Sequence, residues 1–193
     1  MSAINIPNSV TTIGDYAFYC CTNLITIDIP NSVTSIGNSA FVGCNNLMSF
    51  TVNSQNPRYS SLNGVLFDKS QIELIAYPSV KNETQYNIPN TVNMLTALSF
   101  GYCTRLTSVF IPSSVAFIGE AAFLGCKNLT SIHVNVSVPI SLYTSINVFS
   151  NVNKVNCTLY VPVGSKNKYA SAYQWKDFVN IIEEDFQNGI ETL

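Results

Sequence analysis

Charge is what this chain has least of. Only 10% of its 193 residues are Asp, Glu, Lys or Arg, against about 25% in an ordinary globular chain. Few groups are left for acid–base chemistry or salt-bridge networks. The nine basic and eleven acidic residues are scattered, for a net charge of -2. No basic cluster marks a nucleic-acid surface or a charged membrane anchor. No apolar run approaches the roughly 18 residues of a transmembrane helix. Met1-Ser2-Ala3-Ile4-Asn5 has neither the basic start nor the apolar stretch of a signal peptide.

Chemical motifs are equally scarce. His133 is the one histidine, so a Ser–His–Asp or Cys–His site has a single candidate base. No P-loop or dinucleotide fingerprint is present, and the cysteines lack zinc spacing. Asp28 is the one acid on the expected strand row, which leaves no carboxylate pair for glycoside hydrolysis. Glu183-Glu184-Asp185 reads as a solvated charge run. No catalytic residue, metal or cofactor is expected, and the chain reads as a non-enzyme.

What the chain has in abundance is self-similarity, the first thing to test in any sequence. Residues 7–29, 30–52, 89–111 and 112–134 are four 23-residue segments in register. Pro7, Pro30, Pro89 and Pro112 align, as do Val10, Val33, Val92 and Val115. Phe18, Phe41, Phe100 and Phe123 form a third column. Cys21, Cys44, Cys103 and Cys126 form a fourth, and Leu24, Leu47, Leu106 and Leu129 a fifth. One such unit cannot bury enough apolar surface to fold alone, so the units must stack.

Within a unit, Leu24–Ile29 reads as a strand with Leu24, Ile27 and Ile29 inward. Pro30 ends it, having no N–H to give. Val33–Ile36 reads as a second short strand and Gly37 as a sharp turn. Residues 39–44 read as one short helical turn. Gly14, Gly37 and Gly119 share a column that Thr96 breaks, so that repeat is expected to turn differently.

The pattern Ile-Pro-x-Ser-Val-x-x-Ile-Gly-x-x-Ala-Phe-x-x-Cys-x-x-Leu resembles the BspA-type leucine-rich repeat. The resemblance implies a mixed α/β repeat fold, a right-handed leucine-rich-repeat solenoid with short strands and short helical turns. It also implies a cell-surface or secreted adhesion or protein-interaction scaffold that binds a protein or glycan. The alternative is a spacer array within a longer surface protein.

Three segments depart from the period. Residues 53–88 read as a variant unit with a β-hairpin, Val65–Phe67 and Ile72–Tyr77, around Asp68–Gln71. Leu74–Pro78 is expected to continue the main sheet. Residues 135–193 read as an irregular last repeat and a C-terminal cap holding Trp175. Lys166–Tyr173 is expected to be helical, with Ser165 as its N-cap. No matching N-terminal cap is evident, which reads as missing upstream sequence or an exposed end. The whole of residues 1–193 is read as one solenoid domain.

Two sets of residues follow from the register. Thr26, Asp28, Ser49, Thr51, Ser108, Phe110, Ser131 and His133 fall at outward strand positions and form the candidate binding row. Phe110 is the sharpest of them, as an exposed aromatic anchor. Cys21, Cys44, Cys103 and Cys126 read as a structural ladder of small buried side chains. Stacked strands lie roughly 4.8 Å apart, so disulfides Cys21–Cys44 or Cys103–Cys126 stay open as the second reading.

Overall fold

The computed structural model describes residues 3–186. Met1 and Ser2 of the N-terminal reading, and residues 187–193 of the C-terminal one, lie outside the described residues. In chain order the first strands are β1 (Ala3–Asn5), β2 (Thr12–Ile13), β3 (Thr26–Ile29), β4 (Ser35–Ile36) and β5 (Ser49–Val52). The insert supplies β6 (Tyr59–Leu62), β7 (Val65–Asp68), β8 (Glu73–Ala76) and β9 (Gln85–Asn87). Then come β10 (Met94–Leu95), β11 (Ser108–Ile111), β12 (Phe117–Ile118), β13 (Ser131–Val134), β14 (Thr158–Pro162) and β15 (Asn180–Glu184). Among the described residues the one α-helical turn is α1, Lys166–Tyr169, shorter than the expected 166–173.

The 23-residue period becomes a ladder. Thr26 stands beside Ser49, Asp28 beside Thr51, Ser108 beside Ser131 and Phe110 beside His133, all in parallel pairs. The main face has two parallel sheets, β1-β3-β5 and β9-β11-β13-β14-β15. Their strands together mark about eight turns of a leucine-rich-repeat β-solenoid. Inward residues alternate with outward ones, as Ile27 and Ile29 are buried while Asp28 is exposed.

The expected helical turns do not form, and the structure is mostly strand rather than mixed α/β. Each turn places two residues in the left-handed region, four apart: Tyr16 and Cys20, Ser39 and Gly43, Leu98 and Tyr102, Ala121 and Gly125. A right-handed helix cannot pass through such residues. Instead the backbone N–H groups alternate in direction. Ala17, Tyr19 and Cys21 donate three residues back, whereas Tyr16, Phe18 and Cys20 donate to Asn38, Ala40 and Val42 of the next repeat. Helical i to i−4 bonding is thereby exchanged for a second inter-repeat ladder. The phenylalanine column stacks behind it, with Phe18 on Phe41 and Phe100 between Tyr77 and Phe123.

The insert forms two hairpins. β7 pairs antiparallel with β8, as expected, and also with β6 through an Asn63-Gly64 turn. Both turn residues have positive φ, 50° and 80°, the conformation that favours Asn-Gly. The Asp68 carboxylate accepts N–H bonds from Ser70, Ile72 and Glu73 and closes the second hairpin. Asn56, fully buried, bolts the insert to the preceding repeat: its Nδ2 donates to Pro30 O and Val33 O, and its Oδ1 accepts from Arg58 and Tyr59 N–H.

One expectation about the insert is corrected. Residues 74–78 do not continue the main sheet, because β8 pairs with β10 in the row of short second strands. The strand that does continue the main sheet is β9, whose Gln85 and Asn87 pair with Ser108 and Phe110. Ile88-Pro89 ends it as Ile29-Pro30 ends β3, so the register assigns β9 and not β8 to the main face.

At the C-terminal end Trp175 is fully buried against Phe149 and Tyr169, and its Nε1–H donates to Ile140 O at 2.9 Å. Ser165 precedes α1 but does not cap it with its side chain. Its hydroxyl donates to Ser137 O instead. The Glu183 carboxylate accepts the Lys166 N–H at 3.0 Å, and that bond holds its carboxyl below the usual value.

Candidate binding face

The eight outward residues do not form one continuous row. The hairpins separate the two parallel sheets, so Thr26, Asp28, Ser49 and Thr51 lie on β3 and β5, and the other four on β11 and β13. In each patch part of the hydrogen-bonding capacity is used sideways. Thr51 Oγ1 donates to the Asp28 carboxylate, and Ser131 Oγ donates to Ser108 Oγ at 2.8 Å. These lateral bonds follow from identical positions stacking one strand apart.

The C-terminal patch is the more elaborate. The His133 ring lies flat on Tyr160 of β14, with ring centres 4.4 Å apart. Its Nδ1–H donates to Glu184 Oε2 at 2.7 Å. Glu184 stands two strands away, so the terminal charge run is not simply a solvated edge. Among the described residues no serine or cysteine side chain bonds the His133 ring.

Phe110 is half-buried rather than exposed. The chain beyond β15 brings Phe186 over the sheet, and the two rings meet edge to face at 5.8 Å. Together they bound a pocket of about 310 Å3 that also takes in Gln85, Asn87, Ser108, His133 and Glu184. Of the predicted residues, Ser108, Phe110 and His133 line it. Gln85, Asn87, Glu184 and Phe186 were not foreseen. The first two carried a usable signal, since they stand 23 residues before Ser108 and Phe110. Glu184 and Phe186 follow no period.

The cysteine column packs inside. Cys44, Cys103 and Cys126 are buried and Cys21 partly so, and all six cysteines are free. Cys44 Sγ donates to Phe18 O at 3.0 Å and Cys126 Sγ to Phe100 O at 3.0 Å. The disulfide reading is therefore not realised here. Burial pushes the Cys44 thiol up to about 11 and the Cys157 thiol up to about 12. Among the described residues no three of His, Cys, Asp or Glu gather as a metal ion would require.

Stacked parallel strands with 23-residue units define a leucine-rich-repeat solenoid, an architecture used as a protein-interaction scaffold. The chain belongs to the BspA type leucine rich repeat family, whose model matches six copies over residues 1–86 and 70–190. It is similar to the solved structure of a leucine-rich repeat protein from Eubacterium ventriosum. They are 27% identical over 83% of this chain and 48% of that one, with a TM-score of 0.64. A leucine rich cell surface protein from Faecalibacterium prausnitzii is 26% identical over 95% of this chain and 54% of that one, also with a TM-score of 0.64. The chain thus spans about half the length of these two relatives. No curated protein matches it. Among the described residues no helix is long and apolar enough to cross a membrane.

Proposed function

We propose that this chain is a non-enzymatic adhesion or interaction module, and that its partner docks on the sheet face of β9, β11 and β13. The carrying observation is the pocket that Phe110 and Phe186 bound together with His133 and Glu184. Binding sites combine apolar walls with a few convergent polar groups, and this one does so on the face that solenoids use for partners. Phe110 is its anchor, because half-buried aromatics carry much of the energy of protein interfaces. Thr26, Asp28, Ser49 and Thr51 offer a separate polar surface on the other sheet, and Ser131 flanks the pocket.

The ligand is an extracellular protein or glycan, and the module is secreted or held at a cell surface. The description of the Faecalibacterium relative supports that setting. The test is a glycan array and a pull-down of surface proteins with the wild-type chain and Phe110→Ala. The substitution is expected to weaken a bound partner by at least about tenfold, or 1.4 kcal/mol. Unchanged binding by Phe110→Ala removes the face assignment. If the wild-type chain retains no ligand in either screen, the spacer reading replaces the module.

A further inference from the structure

The hairpins open the turn layer of the solenoid. Tyr16, Phe18 and Cys20 donate their N–H groups to Asn38, Ala40 and Val42. Leu98, Phe100 and Tyr102 donate in the same way to Glu120, Ala122 and Leu124, and Ala121, Phe123 and Gly125 to Ile146, Val148 and Ser150. The equivalent donors of the second repeat are Ser39, Phe41 and Gly43. Their N–H groups have no acceptor among the described residues.

The reason is local. β6 and β7 stand between β4 and β8 in the row of second strands: Tyr59 Oη accepts the Ile36 N–H on one side, and β7 pairs with β8 on the other. The variant repeat then omits its own turn. Tyr77 N–H donates to Ser99 O, and two residues later Ser79 Oγ donates to Cys44 O, so the chain crosses the gap directly. Between residues 37–43 and 96–101 lies a cleft of about 580 Å3. Its far wall carries the Ala97 and Gly101 carbonyls. Their counterparts in the next repeat, Glu120 and Leu124, accept backbone N–H bonds, whereas among the described residues no backbone N–H reaches these two.

The geometry points to a second binding site, a cleft that takes an extended peptide segment of a partner protein. The segment accepts from Ser39, Phe41 and Gly43 and donates to Ala97, on the near side of the crossing at Tyr77 and Ser79. Donors at alternate residues match the period of two of an extended chain. A small anion would engage a neighbouring pair of amides and leave the acceptor wall idle, whereas a peptide backbone brings both donors and acceptors. The charges on the walls balance, with Arg58 and Lys69 against Asp68 and Glu73, so the side-chain charge of the peptide is not selected. Open backbone edges of this kind template strand addition. The site is separate from the sheet face and does not depend on it.

The experiment selects a phage-displayed random peptide library on the wild-type chain and counter-selects on Ala97→Trp, which fills the cleft from an exposed position. An enriched synthetic peptide is then titrated into isotope-labelled protein. Amide exchange at Ser39, Phe41 and Gly43 should slow by at least about tenfold as those groups gain partners. Binding should be lost in Ala97→Trp and kept in Phe110→Ala. Should Ala97→Trp fail to fold, Glu73→Trp blocks the same cleft. Two results overturn the proposal: no peptide enriched over the blocked variant, or an enriched peptide that leaves those three amides unchanged.

Discussion

Gly119 passes so close to Ala97 that a Cβ on it would lie 2.6 Å from the Ala97 nitrogen. The turn of one repeat is pressed against that of the repeat before, and only hydrogen fits between. Gly14 occupies the same column, yet a Cβ there would meet nothing within 4 Å. Gly119→Ala should therefore destabilise by about 1–3 kcal/mol, the range for overpacking. Gly14→Ala should be neutral or slightly stabilising, because alanine narrows the unfolded ensemble. Urea midpoints of the two variants check this. Equal effects would show that the column is about backbone freedom rather than close approach.

Thr96 explains why the column can be broken. It follows the repeat that omits its turn, so a side chain there has room. Its hydroxyl donates to Leu74 O at 3.2 Å and Ile75 O at 3.1 Å. The expectation that this repeat turns differently is not met: Leu98 and Tyr102 take the same left-handed conformations as Tyr16 and Cys20 and donate to the next repeat in the same way. The period and the inward columns were legible because stacking repeats a residue type every 23 positions, and the hairpin around Asp68 because turn residues separate two apolar runs. The turn conformation was not. Ala40, Phe41 and Cys44 suit a helical turn or a turn ladder equally by hydrophobic spacing. What decides is positive φ at Tyr16, Cys20 and Leu98, residues with no propensity for it. The binding face was half legible for a related reason. Phe110 and His133 sit on the period, while Phe186 and Glu184 come from a terminal segment that has no counterpart to align with.

The buried thiols make alkaline stability a direct readout of the cysteine column. Cys44 is raised from 9.0 to about 11 and Cys157 from 9.0 to about 12, both mainly by burial, and Cys103 is raised as well. Between the unfolded and folded values the folded state holds protons that the unfolded state has lost. Stability from these groups is thus complete below pH about 9 and falls as pH rises through the folded values. Unfolding free energy should be flat from about pH 7 to 8 and drop on the order of 1 kcal/mol for each of these thiols by about pH 10. In the native protein at neutral pH a thiol reagent should modify exposed Cys20 first and Cys21 more slowly. Cys44, Cys103, Cys126 and Cys157 should react only on unfolding, being buried. Fast modification of all six would contradict the packed column.

Asn56 is the sharpest test of how the insert is held. It is fully buried, and both ends of its amide are used: two donations to Pro30 O and Val33 O, two acceptances from Arg58 and Tyr59. Asn56→Asp keeps the shape and both acceptances but turns the donors into a carboxylate facing two carbonyls. An unmet buried polar group costs about 1–3 kcal/mol, and more when charged. Asn56→Asp should therefore lose at least about 3 kcal/mol at neutral pH. Asn56→Ala, which leaves the carbonyls unmet without adding charge, should lose less. Part of the Asp deficit should return in acid, where the protonated carboxyl can donate once. Denaturant melts of both variants at neutral and acidic pH separate the cases. If Asp and Ala cost the same at neutral pH, water reaches Pro30 and Val33, and the insert is held by its strands rather than by Asn56.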